Sequence, residues 1–177
     1  MKLKVLQSSK IYSGKILQLI VDRLERSDGE ETLREVVRHP GGVAVVAELD
    51  GKILFVRQRR YPMDTELLEL PAGKLDHPEK PEAAAVRELE EETGYRAGRL
   101  HKIGAFFTAP GFCDEVLHLY LAQGLEKSAQ KLELDEDIRV EAYELRRALE
   151  MIASGEICDM KTAVGVLWLA GERKHCD

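Results

Sequence analysis

The glutamates within residues 88–92 are the residue types in this chain best suited to chemistry. On a helix turning about 100° per residue, Glu88, Glu91 and Glu92 fall on one stripe, whereas Glu90 points to the opposite face. Like charges at these spacings repel, so a cation is their natural compensation. Gathered carboxylate oxygens suit a hard divalent ion such as Mg²⁺ or Mn²⁺. The alternative is an ordinary solvated acidic face.

The helix that would carry this stripe is predicted over residues 80–93. Pro81 suits the first helical position, and Glu82 is favourable near the positive end of the helix dipole. Apolar residues such as Ala85 and Leu89 occupy the neighbouring arc, so one side of the helix can be buried. The carboxylates would then lie at the edge of the buried side.

Extended segments surround the helix. Residues 16–21 and 32–37 mix β-branched and polar residues around a turn at residues 27–29, which indicates a small antiparallel unit. Residues 43–47 and 53–56 form a predicted hairpin. Further strands are predicted near residues 100–107, 115–122 and 137–142, and further helices near 144–153 and 160–173. This interspersed order favours an α/β (α+β) fold with a mixed β-sheet between helices.

Composition excludes several classes of partner. The 32 acidic residues outnumber the 26 basic ones, which gives a net charge of −6 and no basic field for nucleic acid or an anionic membrane. The 3 cysteines are far apart and odd in number, which is typical of reduced thiols in the cytoplasm. The apolar stretch at residues 163–170 is far shorter than the ~20 residues that span a bilayer. We therefore expect a soluble cytoplasmic protein.

The acidic segment resembles the signature of the Nudix hydrolase family. The matching positions are Gly73, Glu79, Arg87-Glu88-Leu89, Glu91-Glu92 and Gly94, and Tyr95 departs from the usual aliphatic choice. The resemblance implies a Nudix fold whose helix binds metal through Glu88, Glu91 and Glu92, with Glu79 and Arg87 holding loop and helix together. It also implies that water attacks the pyrophosphate of a nucleoside diphosphate linked to another group.

The flanks resemble the ADP-ribose pyrophosphatase branch of that family. The similar segments are residues 34–39, 57–61 and 69–74, together with Pro110. This resemblance implies Mg²⁺-dependent cleavage (Mn²⁺ as an alternative) of ADP-ribose, or a related nucleoside diphosphate sugar, to AMP and ribose 5-phosphate. A GDP-mannose or nucleoside triphosphate hydrolase is the alternative within the class. A non-catalytic nucleotide sensor is a third hypothesis. The complete set of carboxylates argues against it.

The resemblance also implies substrate-binding residues and a backbone metal ligand. Arg34, Arg60, Glu69 and Pro110 are expected at the substrate, and the Ala72 carbonyl is expected to join the metal-binding carboxylates. A guanidinium offers paired donors to phosphate, although an exposed strand arginine can equally be plain surface charge. The aromatic residues Tyr12, Phe106, Phe107 and Phe112 are candidates for stacking on adenine, but we expect most of them in the core.

The predictions of the general base and of the oligomeric state rest mainly on the resemblance to this branch. Glu136, in the acidic stretch 133–137, matches the branch's loop carboxylate, but Leu134 stands where a second acid is expected, so Glu115 and Glu91 remain candidates for catalysis. Residues 1–38 are predicted as a dimerising strand unit and residues 39–177 as the catalytic domain. The branch implies a homodimer whose N-terminal strands are exchanged, acting on a small-molecule nucleoside diphosphate sugar.

Overall fold

The computed structural model describes residues 3–132 and 137–174 of the chain. These residues form two compact units. The first unit contains the chain up to Gly42 together with Ala105–Leu117, and the second contains Val43–Gly104 and the chain from His118 onward.

The first unit is built on an antiparallel sheet of β1 (Lys4–Ser13), β2 (Gln18–Glu25) and β3 (Glu31–Arg38). The predicted strands around residues 16–21 and 32–37 are confirmed as β2 and β3, with Ile20 opposite Val36. The sequence did not predict β1, because nearly all of its side chains are exposed and no alternation of polar and apolar residues marks it.

Residues 105–117 attach to the end of β3 through its backbone. The Val37 N–H donates to the Phe112 carbonyl at 2.7 Å, and the Asp114 N–H donates to the Val37 carbonyl at 3.1 Å. Arg38 adds an ion pair of 2.9 Å to the Asp114 carboxylate. These bonds make the loop part of the first unit.

The remaining elements follow in chain order. They are β4 (Gly42–Leu49), β5 (Lys52–Arg60), a 3₁₀ turn (Tyr61–Met63), β6 (Thr65–Glu69), β7 (Ala72–Lys74), α1 (Pro81–Thr93), β8 (Tyr95–Arg96), β9 (Arg99–Phe107), β10 (Val116–Gln123), β11 (Glu126–Lys127), β12 (Ile138–Glu144), α2 (Leu145–Ser154) and α3 (Met160–Lys174). The large sheet has the order β12-β5-β4-β10-β9, with β6 pairing β5 and β7 pairing β4. β8 and β11 pair separately.

Helices cover both faces of the large sheet. On one face, Val43, Val45 and Ala47 of β4 belong to a buried cluster with Ala85 and Leu89 of α1. On the other face, Val46 packs against α3 at Gly165 together with Leu70 and Leu119. The predicted mixed sheet between helices is therefore confirmed, as are the helices near residues 80–93, 144–153 and 160–173. None of the helices in the described ranges is long and apolar enough to cross a membrane.

Candidate active site

The helix α1 presents its carboxylates at the edge of a buried face. Its own residues Ala84, Ala85 and Leu89 are fully buried and define that face. The helix begins at Pro81 and ends at Thr93, and the next residue is Gly94, whose φ of 72° lies in the left-handed region that glycine adopts at little cost. Burial of the apolar side therefore fixes which way the acidic stripe, defined as Glu88, Glu91 and Glu92, faces.

Arg87 joins the stripe to the loop before the helix. Its Nε and Nη2 donate to the Glu79 carboxylate at 3.0 and 2.8 Å, and its Nη1 donates to Glu88 at 2.8 Å and to Glu91 at 3.1 Å. These bonds raise the pKa of Arg87, Glu79 contributing most, and the Arg87 bond holds the pKa of Glu79 below its ordinary value. The expected role of Glu79 and Arg87 agrees with this geometry.

Two residues of the preceding strand lie directly against the stripe. A β-carbon built on Gly73 would overlap the carboxylate of Glu88, so this carboxylate occupies the space of the missing side chain. The Ala72 N–H donates to Glu92 at 2.9 Å, and Glu92 is only 3% exposed. The backbone of Ala72 is therefore held beside a carboxylate of the stripe.

Glu90 points away from the stripe, as the helical spacing predicts. Its carboxylate accepts a hydrogen bond from Arg96 at 2.8 Å and another from Ser128 at 2.7 Å. These bonds, the one from Arg96 first, lower the pKa of Glu90 to about 2. Glu90 thus links α1 to Arg96 of β8 and to Ser128. It is a glutamate of the same helix that lies outside the stripe, so its variants can be compared with variants of the stripe.

The donor set of the stripe fits a hard divalent cation. Three carboxylates and a neighbouring backbone carbonyl are oxygen ligands only, and such ligands favour Mg²⁺ or Mn²⁺ over softer metals. Within residues 3–132 and 137–174, no three acidic, histidine or cysteine side chains are grouped closely enough to enclose an ion. In this structure Arg87 engages Glu88 and Glu91, and Glu92 accepts the Ala72 N–H. A bound cation would take over the compensation that Arg87 provides.

Arg60 and Glu69 form a second charged pair in this unit. The Arg60 guanidinium donates through Nε at 2.7 Å and through Nη2 at 2.8 Å to the two oxygens of Glu69. Glu69 is 1% exposed, and Lys161 of α3 also donates to it. Burial pushes the pKa of Glu69 upward, but Arg60 and Lys161 outweigh it and hold the pKa below its ordinary value.

This pairing separates the roles of the two residues. The Glu69 carboxylate is turned inward and occupied, whereas the Arg60 side chain is 39% exposed. The Nη1 of Arg60 has no hydrogen bond to any residue that the structure describes. Arg60 is thus oriented by Glu69 and retains a donor for an anion.

The other arginines near the signature segment are engaged differently. Arg57 donates to Glu141 at 2.6 and 3.1 Å across β5 and β12. Arg59 pairs with the exposed Asp64 at 2.5 Å. Among the arginines of β5, Arg60 therefore has the geometry best suited to bind phosphate.

Several predicted site residues lie in the first unit, whereas the stripe lies in the second. Glu115 accepts a hydrogen bond from Thr108 at 2.7 Å and lies 3.3 Å from Nδ1 of His39. Arg34 is exposed and donates to backbone and side chain of neighbouring β3 residues, and Pro110 is exposed in its loop. Glu136 lies outside the described residues.

The expectation that most of the aromatic candidates are core residues is wrong. Tyr12, Phe106, Phe107 and Phe112 are 57%, 41%, 68% and 59% exposed. All four belong to the first unit, whose described residues form a sheet and no helix. A small sheet unit of one chain cannot bury them, so they are available to another surface.

Sequence reasoning missed the residues at the start of α3. Thr162 is fully buried, and its hydroxyl accepts the Leu70 N–H at 2.8 Å. Asp159 accepts the Thr162 N–H at 3.0 Å, which is the geometry of a helix N-cap. The signal was present in the sequence as an Asp just before a predicted helix, but the contact with Leu70 is long-range and required the fold.

The comparisons with known proteins agree with this geometry. A NUDIX domain matches residues 37–156, and the chain belongs to the Nudix hydrolase family, whose enzymes work with a divalent metal ion. It is 48% identical to an ADP-ribose pyrophosphatase of Bacillus subtilis (strain 168), over 94% of this chain and 91% of that protein. It is 44% identical to a methanol dehydrogenase activator of Bacillus methanolicus, with the same coverage.

A solved structure has the same fold. The crystal structure of an ADP compounds hydrolase superposes with a TM-score of 0.89 over 99% of this chain and 96% of that one. Its sequence identity is 18%, so this likeness concerns the fold alone.

Proposed function

We propose that the chain hydrolyses the pyrophosphate bond of ADP-ribose, or of a related nucleoside diphosphate sugar, to AMP and ribose 5-phosphate. The observation that carries the proposal is the acidic stripe of α1 held against Gly73 and Ala72. The similarity to an ADP-ribose pyrophosphatase over nearly the whole chain supports this choice of substrate.

Glu88, Glu91, Glu92 and the Ala72 carbonyl are proposed to hold Mg²⁺, for which Mn²⁺ can substitute. When bound, the metal lowers the pKa of the attacking water and neutralises charge on the diphosphate. Arg87 keeps the carboxylates oriented, since it contacts both Glu88 and Glu91. Gly73 leaves room for the Glu88 carboxylate.

Arg60 is proposed to bind a phosphate of the substrate. Its Nε and Nη2 are fixed by the buried Glu69, which orients the guanidinium at little further entropic cost on binding. Glu69 thus contributes to substrate binding through Arg60. Arg34 and Pro110 are also proposed as substrate-binding residues.

For the general base we propose Glu136, with Glu115 and Glu91 as the alternatives. Both alternatives have other partners, since Glu115 is engaged by Thr108 and His39, and Glu91 is engaged by Arg87. A Gln variant of the base should lose turnover at neutral pH while still binding Mn²⁺. That outcome distinguishes a base from a metal ligand.

We further propose a cytoplasmic homodimer that binds neither nucleic acid nor membranes. The net charge of −6 argues against both polyanionic surfaces. The exposed aromatic and aliphatic side chains of the first unit support dimerisation through residues 1–38, with residues 39–177 as the catalytic domain. In this arrangement Arg34 acts across the interface.

A substrate panel tests the proposed function. ADP-ribose, GDP-mannose, ATP and dGTP are compared by kcat/KM with Mg²⁺, with the nucleotide products separated from the substrate by anion-exchange chromatography. We expect ADP-ribose to be preferred, because a triphosphate places charge where the terminal ribose should lie. A clear preference for a triphosphate or GDP-mannose would assign the alternative substrate, and no turnover of any compound would favour the sensor.

A further inference from the structure

Consecutive residues of the segment 69–72, which joins β6 to β7, are each tied to a different element. Glu69 bonds to Arg60 of β5, and the Pro71 carbonyl accepts the Val45 N–H of β4 at 2.9 Å. The Ala72 N–H donates to Glu92 of α1 at 2.9 Å. The segment therefore connects the proposed phosphate-binding arginine to the proposed metal-binding stripe.

The start of α3 supplies the remaining ties to this segment. The Thr162 hydroxyl accepts the Leu70 N–H at 2.8 Å and donates to Asp159 at 2.5 Å. Both Leu70 and Thr162 are fully buried, so water does not compete for this bond. Loss of the hydroxyl would leave a buried backbone donor without its partner.

A row of charged side chains lies beside the hydrogen bond between Leu70 and Thr162. Lys161 lies 3.0 Å from Asp159 and donates to the buried Glu69, which in turn holds Arg60. The side chains of Lys161 and Asp159 are 16% and 18% exposed. Two cations and two carboxylates thus alternate with balanced charge, which is the condition under which buried ions are tolerated.

We propose that Thr162 and Lys161 are positioning residues for the active site. Thr162 sets the place of the Ala72 backbone through Leu70, and Lys161 sets the direction of Arg60 through Glu69. The inference rests on the proposed function, since it takes Ala72 and Arg60 to be the groups that meet metal and phosphate. It predicts that the two residues affect different binding events.

The test for Thr162 measures Mn²⁺ binding to the full chain without substrate, by electron paramagnetic resonance. Thr162→Val keeps the shape but loses the hydroxyl, and we expect Mn²⁺ affinity to fall about 10-fold, the usual effect of removing a group that orients a metal ligand. Thr162→Ser should restore it. Ser154→Ala, which removes a hydroxyl bonded to the Met151 carbonyl in α2, is the matched control and should bind Mn²⁺ normally.

The test for Lys161 measures KM and kcat separately for the variant Lys161→Met. Lys161→Met should raise KM for the substrate about 10-fold through a misdirected Arg60. Its Mn²⁺ affinity should stay within about twofold of the wild type, because the bond between Leu70 and Thr162 is kept. This variant also keeps the inference testable if Thr162→Val fails to fold.

A purely structural role would give a different result. If Thr162→Val melts at a lower temperature but binds Mn²⁺ as the wild type does, and Lys161→Met keeps its KM, the positioning role is overturned. The proposed function fails separately, when the wild type binds Mn²⁺ but does not turn over ADP-ribose. In that case the Mn²⁺ comparison of the Thr162 variants still decides the inference about Ala72.

Discussion

At the scale of single residues, the chemistry depends on how each carboxylate of α1 is held. Glu88 fills the space beside Gly73, Glu92 accepts the Ala72 N–H, and Glu91 contacts Arg87. Helical spacing alone predicted the common direction of the three and the opposite direction of Glu90. The contact between Glu88 and Gly73 joins different elements, so no local pattern reveals it.

Replacing Gly73 by alanine tests this close approach. The added β-carbon would overlap the Glu88 carboxylate, which must then move away from its place in the stripe. We expect kcat with Mg²⁺ to fall at least about 10-fold while the melting temperature changes little, since a flexible side chain can give way. Gly171→Ala on α3, where a β-carbon meets no atom of the described residues within 4 Å, is the control for the substitution itself. Normal turnover of Gly73→Ala would show that the position of Glu88 is unimportant.

At the scale of elements, a buried ionic contact joins β5, β6 and α3. Glu69 receives bonds from Arg60 and from Lys161, and these lower its pKa from the ordinary value of 4.5 despite its burial. A carboxyl group with a lowered pKa in the folded state contributes stability that is complete above the unfolded pKa. This contribution is lost as the pH falls through the lowered folded pKa.

The variant Glu69→Gln isolates this contribution. At pH 7 its free energy of unfolding should be lower than that of the wild type by about 3 kcal/mol, because two cations lose a buried partner. The difference should shrink as the pH falls below 4.5, because the unfolded wild type then takes up a proton that the folded protein, with its lowered pKa, does not yet bind. Urea unfolding at pH 7 and at pH 3.5 provides the measurement. A difference that stays constant between the two conditions would contradict the ionic role.

The elements were predictable to very different degrees. Residues 80–93 were predictable as a helix because proline, a first-turn acid and a terminal glycine all mark α1. The strands β8 and β11 span two residues each, which is too short for any periodic pattern. The link from α3 to Leu70 bridges 92 positions of the chain and was beyond sequence reasoning for that reason.

At the scale of the whole molecule, most of the large apolar side chains exposed among the described residues belong to the first unit. Ile11, Leu33 and Phe107 are 61%, 61% and 68% exposed, although they belong to a unit with a well-formed sheet. Large apolar side chains exposed in this number favour an interaction site, and two-fold pairing of identical chains is its commonest use. This supports the proposed homodimer, which would complete the unit with a second copy.

Sedimentation at micromolar concentration tests the assembly. We expect a species of about twice 19.9 kDa, and we expect deletion of residues 1–38 to abolish both dimerisation and activity. Leu33→Asp should dissociate the dimer, because a carboxylate would be buried without a partner. Leu167→Asp, at a similarly exposed leucine of α3, is the matched control and should remain dimeric. A fully active 19.9 kDa species would show that the strands act within their own chain.

The most direct test of the active site compares two glutamates of the same helix that face opposite ways. We expect Glu92→Gln to lower kcat for ADP-ribose at saturating Mg²⁺ by at least ~10²-fold with the fold intact, since a metal ligand is lost while a charge repulsion is relieved. Glu90→Gln, whose carboxylate is engaged by Arg96 and Ser128 instead, should keep its turnover within about twofold of the wild type. Near-normal turnover of Glu92→Gln under these conditions would contradict the assignment of the acidic stripe as the catalytic centre.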